Sequence, residues 1–334
     1  MKICVTGSTG YIGSLLTKRL LQEGHEVHAL VRSSSKEYPI INDNLTLFKG
    51  DLLNEETLIK AMENCSQVYH LAALASVWAK NRGDFFNTNV LGTKNVLETA
   101  LKCNIKRVVV CSTAGVWGAS FNATISEEST RKCDFFNEYE SSKALSELLI
   151  KNYVIQKKLD IVIASPTRVY GPYLAGKSES VTMLIEKYVN KKWRIVPGSG
   201  EKIGNYIFIN DVINGLYLAM EKGQNGHTYI LGGTNHNLND FFEVLKKISK
   251  VNVKMYNVPI WSIMLFAKFQ YFLANNFNIK PLITPKWIAK MKYDWKVSSI
   301  KAQKELGLEI TPLEIGLKET TEWIQYKKMH EPLN

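Results

Sequence analysis

The sequence predicts an α/β protein, a doubly wound parallel sheet followed by a smaller C-terminal lobe, and three observations carry that expectation. Short, apolar, β-prone runs alternate with helix-spaced amphipathic runs from the first residues to about position 167. Gly7, Gly10 and Gly13 fall together in VTGSTGYIGS, Val5 to Ser14, between the first strand-like run and the first helix-like one. Beyond about 167 the alternation loosens, and Gly171-Pro172, Pro197-Gly198 and Gly232-Gly233 punctuate the chain.

Lys2 to Thr6 (KICVT) reads as the first strand and Ile12 to Leu21 (IGSLLTKRLL) as the first helix. The glycines therefore occupy a strand-to-helix turn, the context that a dinucleotide fingerprint requires. Gly7 permits the tight turn, Gly10 lets backbone approach a pyrophosphate with no Cβ in the way, and Gly13 lets the helix pack close to the strand. Phosphates would face N–H groups and the positive helix end. Ordinary turns also collect glycine, so the triplet alone leaves a purely structural role open.

Glu26 to Val31 (EVHALV), Leu45 to Phe48, Gln67 to Leu71, Arg107 to Cys111 (RVVVC) and Asp160 to Ala164 (DIVIA) read as further strands. Glu55 to Met62 and Val90 to Cys103 read as helices between them. Continuous apolar strands imply a parallel sheet covered on both faces, and right-handed crossovers wind it doubly, with ligands at the carboxyl ends of the strands. We expect a dinucleotide-binding domain over 1–167 plus about 203–231, and a substrate-binding lobe over about 168–202 plus 232–334.

At 334 residues, 45% hydrophobic and 22% charged, the chain has the material for a large core in two lobes. The formal charge of +11 is spread over scattered lysines with only short clusters such as Lys157-Lys158 and Lys327-Lys328. Solvated faces and attraction for anionic ligands account for it, and no nucleic-acid partner is expected. The five cysteines, at 4, 65, 103, 111 and 133, show no C-x-x-C spacing. Reduced thiols, no metal and a cytoplasmic location are the expectations. Strand and phosphate loop occupy the first residues, leaving no room for a signal peptide. Val258 to Phe277 (VPIWSIMLFAKFQYFLANNF) is long and apolar but interrupted by Pro259, Lys268, Gln270 and two asparagines. A buried or pocket-lining helix of the second lobe is favoured there, with contact between 258–277 and a membrane surface as the other reading.

Tyr139 to Lys143 (YESSK) is the most informative local pattern. Residues four apart in a helix share a face, so phenol and ammonium point the same way. A nearby cation favours phenolate and lowers a tyrosine pKa from its reference of about 10, which would let Tyr139 shuttle a proton near neutral pH. Exposed Tyr/Lys pairs share this spacing. The pair follows a strand whose end reads Cys111-Ser112-Thr113-Ala114-Gly115, where a hydroxyl is placed to hold a carbonyl oxygen.

Seven stretches in order then resemble one family. TGSTGYIG, Gly50-Asp51-Leu52, His70 to Ala73 (HLAA), Asn89 to Thr93 (NVLGT), Cys111 to Gly118 (CSTAGVWG), YESSK and Pro166 to Pro172 (PTRVYGP) are similar to the motifs of the extended short-chain dehydrogenase/reductases. That family includes nucleotide-sugar epimerases, dihydroflavonol reductases and 3β-hydroxysteroid dehydrogenases. The resemblance implies a Rossmann domain and a hydride step in which Thr113 bonds the substrate oxygen, Tyr139 passes the proton, and Lys143 binds the nicotinamide ribose and lowers the Tyr139 pKa. It further implies cofactor contacts at Gly7, Thr9, Gly10, Tyr11, Ile12, Gly13, Arg32, Asp51, Leu52, Leu71, Ala72, Ala73, Pro166 and Val169, as well as Tyr139 and Lys143. Substrate contacts are expected at Trp78, Thr113, Arg168 and Tyr170, although Trp78, Tyr170 and Tyr173 fit a core equally well. Asn89 reads either as a backbone-linking asparagine or as part of a proton relay. A homodimer through a helix bundle containing the Tyr/Lys helix is also implied.

Cofactor choice rests on charge. Where NAD binders place Asp or Glu at the end of the second strand, this chain has Val31, followed by Arg32, Ser33, Ser34, Ser35 and Lys36. A guanidinium binds a 2′-phosphate that a carboxylate would repel, so NADP(H) is preferred over NAD(H), with a merely solvated Arg32 as the plain alternative. Sugar-nucleotide enzymes of the family commonly carry a diphosphate-clamping arginine just before the strand read here over Tyr206 to Asp211 (YIFIND). Gly204 occupies that position, and Arg168 stands where they tend to have asparagine. The substrate expectation is therefore a ketone or secondary alcohol of the dihydroflavonol-reductase-like or hydroxysteroid-dehydrogenase-like kind. A nucleotide-sugar epimerase or dehydratase is the enzyme alternative, and a non-catalytic nucleotide sensor or RNA binder is the alternative of another class.

Overall fold

A computed structural model of the chain describes residues 1–32, 38, 40–173, 180–277 and 279–330. The strands are β1 (Lys2–Thr6), β2 (Glu26–Val31), β3 (Leu45–Lys49), β4 (Gln67–His70), β5 (Arg107–Cys111), β6 (Ile161–Pro166), β7 (Arg168–Tyr170), β8 (Ile195–Pro197), β9 (Ile203–Phe208), β10 (Thr228–Leu231), β11 (Thr234–Asn237) and β12 (Tyr256–Val258). The helices are α1 (Tyr11–Gln22), α2 (Glu55–Met62), α3 (Gly83–Phe86), α4 (Gly92–Lys102), α5 (Glu138–Lys157), α6 (Ser180–Val189), α7 (Ile209–Lys222), α8 (Leu238–Ser249), α9 (Ile260–Phe277), α10 (Pro285–Lys290) and α11 (Leu313–His330).

Seven strands form one sheet in the order β10-β6-β5-β4-β1-β2-β3, and every pairing is parallel. The order reverses between β1 and β4, the switch point at which doubly wound sheets take ligands. Side-chain alternation divides the sheet's apolar residues between two cores. Ile3, Val5, Val109 and Val162 pack with Leu16 and Leu20 of α1 and Val212 and Leu216 of α7. Cys4, Val68, Val108, Val110, Ile161 and Ile163 pack with Leu58 of α2, Leu97 of α4 and Ile150 of α5. The first of these cores continues through Tyr170, Phe208, Phe241 and Leu317, so one buried apolar cluster runs from the large sheet into the residues beyond 167.

Two small sheets stand apart from the large one, β11-β9-β7 and β12-β8, so β9, expected with the dinucleotide-binding residues, pairs outside the large sheet. β9 pairs parallel to β7 and antiparallel to β11, while α7 and β10, which follow it, pack on and complete the large sheet. The strand read over Tyr206 to Asp211 stops at Phe208 and Ile209 opens α7. Asp211 suits a first helical turn, and its carboxylate accepts from Thr311 N at 2.8 Å and Thr311 Oγ1 at 2.6 Å.

The helix expected over Val90 to Cys103 opens instead with a π turn at Asn87–Leu91 before α4. The cause is a crowded carbonyl: Asn89 O accepts from Thr93 Oγ1 at 2.6 Å and from Ser146 Oγ at 2.5 Å. The stretch 258–277 departs furthest from expectation. Only Ala267 and Ala274 of α9 are buried, and most of its large apolar side chains stand in solvent. Ile260, Ile263, Met264 and Tyr271 are half-buried on the same side as these alanines, so α9 seats one side on the protein and the buried reading is corrected only for its other side. No helix of the described residues is long and apolar enough to cross a membrane.

Candidate active site

The glycine turn is built as a cradle. Gly7 has φ +75°, and a Cβ there would lie 2.5 Å from Ala72 N. A Cβ at Gly13 would overlap Gly7 O, so α1 approaches β1 as closely as backbone allows. At Gly10 an added Cβ meets only Gly7 O, at 3.3 Å. Gly10 is also the N-cap of α1 and offers no side-chain oxygen to its first turn. Beside it the buried Ser8 Oγ has no hydrogen-bond partner. Backbone held bare, a helix N-terminus and an unsatisfied hydroxyl at the sheet's switch point fit a nucleotide pyrophosphate.

Other residues expected at the cofactor lie on this turn, in β7, or at the carboxyl ends of β2, β3, β4 and β6. Thr9 and Ile12 are half-buried on it. Tyr11 is buried, and its hydroxyl donates to Pro172 O at 2.9 Å, tying α1 to the loop after β7. Leu71, Ala72 and Ala73 are half-buried after β4, with the Leu71–Ala72 backbone against Gly7. Asp51 is exposed after β3 and accepts from Leu53 N at 2.9 Å, and Leu52 is buried. Arg32 is exposed at the end of β2. Ser33, Ser34, Ser35 and Lys36, the rest of the charge argument, lie outside the described residues. Pro166 ends β6 and is buried, while Val169 is half-buried in β7.

Thr113, Tyr139 and Lys143 come together at the carboxyl end of β5. Asn137 caps α5 by accepting from Glu140 N at 2.8 Å, and Glu138 and Glu140 complement the helix dipole, which sets Tyr139 in the first turn. Lys143 is 1% exposed, and its Nζ donates to Cys111 O at 2.8 Å. Thr113 Oγ1 accepts from Gly115 N at 3.2 Å and shares a hydrogen bond with the Tyr139 hydroxyl. The electrostatics correct the expectation that Lys143 lowers the Tyr139 pKa. Burial dominates and pushes the phenol well above its usual value, with Cys111 adding to the rise and only the Thr113 bond opposing it. Burial likewise pushes Lys143 down, against the favourable charges of Cys111 and Glu147.

Two carboxylates behind this group escaped the sequence argument. Ser112 Oγ donates to Glu147 Oε1 at 2.5 Å, and Glu147 lies one helical turn beyond Lys143. Extending the four-residue spacing of YESSK by one more step would have found it. Glu140, 1% exposed, receives Arg131 Nη2 at 2.9 Å and Lys290 Nζ at 2.6 Å, a pairing between elements that no local spacing discloses. Asn89 makes the links its structural reading calls for. Its Oδ1 accepts from Leu74 N at 2.7 Å and its Nδ2 donates to Ser142 Oγ at 2.9 Å, linking the loop after β4 to α5. His70 is buried between Thr6 Oγ1, 2.8 Å from Nδ1, and Thr93 Oγ1, 3.0 Å from Nε2.

Of the residues expected at the substrate, Trp78 lines a cavity of about 90 Å³ with Val77, Phe85, Arg82, Glu138, Tyr271, Thr284 and Lys286. Arg168 is exposed on β7 with its guanidinium over the Tyr206 ring, 5.6 Å from the centroid. A Cβ on Gly204 would overlap that guanidinium, so the glycine makes room for Arg168. Tyr170 is corrected to a core residue: it is 1% exposed, stacks near Phe208, and its ring fills the space beside Gly316 of α11. Tyr173 is half exposed and contacts Trp323.

The chain matches the description of the NAD dependent epimerase/dehydratase family over residues 3–232. A protein of Synechocystis sp. named for dihydroflavonol 4-reductase is 29% identical over 327 residues, covering 96% of this chain and 94% of its own. Sterol demethylase protein B of Methylococcus capsulatus is 25% identical over 334 residues, covering 98% of this chain and 100% of its own. The crystal structure of gox2253 superposes with a TM-score of 0.81 at 27% identity, covering 99% of each chain.

Proposed function

Since the chain belongs to the NAD dependent epimerase/dehydratase family, and is thereby an NAD(P)-dependent oxidoreductase or epimerase of the extended short-chain dehydrogenase/reductases, we propose that it interconverts a ketone and a secondary alcohol. The observation that carries this reading is the convergence of Thr113, Tyr139 and Lys143 at the end of β5. When bound, the nicotinamide cofactor supplies or accepts the hydride. Gly7, Gly10 and Gly13 admit its pyrophosphate, and Lys143 orients its ribose. The Thr113 hydroxyl holds the substrate oxygen. Tyr139 donates its proton to that oxygen in reduction and takes one back in oxidation. The raised phenol pKa suits the donor role, because the proton is in place across the neutral range.

Trp78, Phe85 and Tyr271 line one part of the cavity beside Glu138, whose charge is paired with Arg82 and Lys286, and these rings favour a ring-bearing substrate. The relatives named for dihydroflavonol and sterol chemistry support the same class. Arg32 at the end of β2 favours NADP(H). Leu145, Leu148 and Ile155, exposed along α5, suit the homodimer bundle of the family. One observation favours a nucleotide-sugar substrate as a second reading: Arg168 puts a guanidinium over Gly204, restoring from β7 the cation missing at 204.

The test is NADPH oxidation by purified protein against flavanonols, sterones and sugar nucleotides. Turnover of an apolar ketone, reduced about a hundredfold or more in Tyr139→Phe with NADPH binding intact, is the expected result. Turnover confined to sugar nucleotides, and lost in Arg168→Ala, would select the second reading.

A further inference from the structure

We propose that α9 is a membrane-surface helix that docks the protein on bilayers containing anionic lipid, a property beyond the reaction proposed above and independent of it. The helix is 18 residues long, and only Ala267 and Ala274, seven residues apart, are buried. Trp261 is 68% exposed, and Leu265, Phe266, Phe269, Phe272 and Phe277 are exposed with it. Leu282, beyond the helix, is 77% exposed. Scattered exposed apolar residues are ordinary, but five exposed aromatics on one short helix form a contiguous patch that water does not favour.

Charge identifies the occupant. From Val244 to Tyr293 the sequence has nine lysines and no Asp or Glu, whereas the rest of the chain is almost balanced. Lys286 and Lys290 of this stretch pair with Glu138 and Glu140, which leaves the positive charge of the stretch in excess. Lys254, Lys268 and Lys280 are exposed and make no ion pair among the described residues. A second copy meeting this face would set two such positive surfaces together with no carboxylate in the stretch to relieve the repulsion. An anionic bilayer instead supplies negative charge for the lysines and an acyl boundary for the aromatics. Lys268, Gln270, Asn275 and Asn276 interrupt the apolar run of the helix, which is not long and apolar enough to cross a membrane, so it lies on the surface. Tyr271, on the covered side of the same helix, lines the cavity with Trp78.

Co-sedimentation of the full chain with phosphatidylcholine vesicles, with and without phosphatidylglycerol, tests this. Binding is expected only to the phosphatidylglycerol vesicles and should weaken as salt is raised. Lys268→Glu combined with Lys280→Glu should weaken it by more than about thirtyfold, and Phe269→Asp with Phe272→Asp should abolish it. The lysine pair changes no apolar contact, so the test stands if the aspartate variant does not fold. The proposal is overturned if the wild type stays in the supernatant with both vesicles, or if the lysine pair binds as tightly as the wild type. It is equally overturned if light scattering shows a wild-type oligomer that Phe269→Asp converts to monomer while vesicles recruit neither.

Discussion

Lys143 Nζ donates to the backbone carbonyl of Cys111 at 2.8 Å, so the ammonium of α5 is pinned to the end of β5. Lys143 is buried and Tyr139 half-buried, and loss of solvent shifts them in opposite directions, the phenol up and the amine down. Each shift favours the neutral group. Reduction uses the protonated phenol, so kcat/KM for ketone reduction should be level through neutral pH and fall only on the alkaline side. Oxidation uses the phenolate and should rise with pH over the same span. A reduction profile that falls between pH 6 and 8 would show that the phenol ionises far more easily than its surroundings imply.

The glycine cradle separates folding from nucleotide binding. A methyl at Gly13 overlaps Gly7 O, a backbone atom that cannot swing aside, so Gly13→Ala should lower Tm and nucleotide affinity together. At Gly10 the nearest atom to an added methyl is Gly7 O at 3.3 Å, a contact relieved by a shift of a few tenths of an ångström. Gly10→Ala should keep nearly the wild-type Tm while losing nucleotide affinity, because the methyl projects toward the phosphates. Calorimetric titration beside thermal melts checks this, and equal loss of both in Gly10→Ala contradicts the cradle.

His70 provides a stability signal at acid pH. Burial, reinforced by the Lys143 charge, lowers its pKa from 6.5 to about 3. A folded pKa below the unfolded one means that the unfolded chain binds the extra proton. Stability is therefore unaffected by this group above pH 6.5 and is lost as pH falls from 6.5 toward 3, by up to about 1.4 kcal/mol per pH unit. Denaturant titrations across that window should show a slope that His70→Gln reduces. An unchanged slope would assign the acid sensitivity to other groups.

Arg32 decides the cofactor prediction. A charge-assisted bond to a 2′-phosphate contributes about 1.5–3 kcal/mol, so Arg32→Ala should raise KM for NADPH about ten- to hundredfold and leave KM for NADH almost unchanged. Equal changes in both would make Arg32 a solvated surface residue.

Local spacing disclosed the Rossmann half of the fold because each of its features is a local matter. KICVT, the glycine turn and IGSLLTKRLL are a strand, a turn and a helix for reasons contained within a few residues, and YESSK sets phenol and amine on one face whatever surrounds it. What could not be read depends on distant partners. Tyr170 enters the core because Phe208 and Gly316 meet it there. Glu140 is buried because Arg131 and Lys290 arrive from elsewhere in the chain. The α9 segment has a core-like composition, yet the fold covers only the side that carries Ala267 and Ala274 and leaves the other in solvent. The direction of the Tyr139 shift was missed for the same reason, since helix spacing gives the amine's position but not the burial that outweighs it.

Glu147 is the residue that spacing could have found and whose role is open to a sharp test. It accepts from Ser112 Oγ at 2.5 Å, and its negative charge supports the Lys143 ammonium against the burial that pushes the amine toward neutrality. Burial raises the Glu147 carboxyl in turn, with Ser112, Lys143 and Lys151 opposing the rise. Glu147→Gln keeps the acceptor for Ser112 and removes the charge. The Lys143 pKa should then fall further, so the alkaline limb of kcat/KM should move to lower pH while Tm changes little. As a positioning residue acting through Lys143, Glu147 should also be partly replaceable by aspartate, with the limb returning toward its wild-type position in Glu147→Asp. A lowered Tm with an unmoved limb would instead make Glu147 a structural acceptor for Ser112 alone.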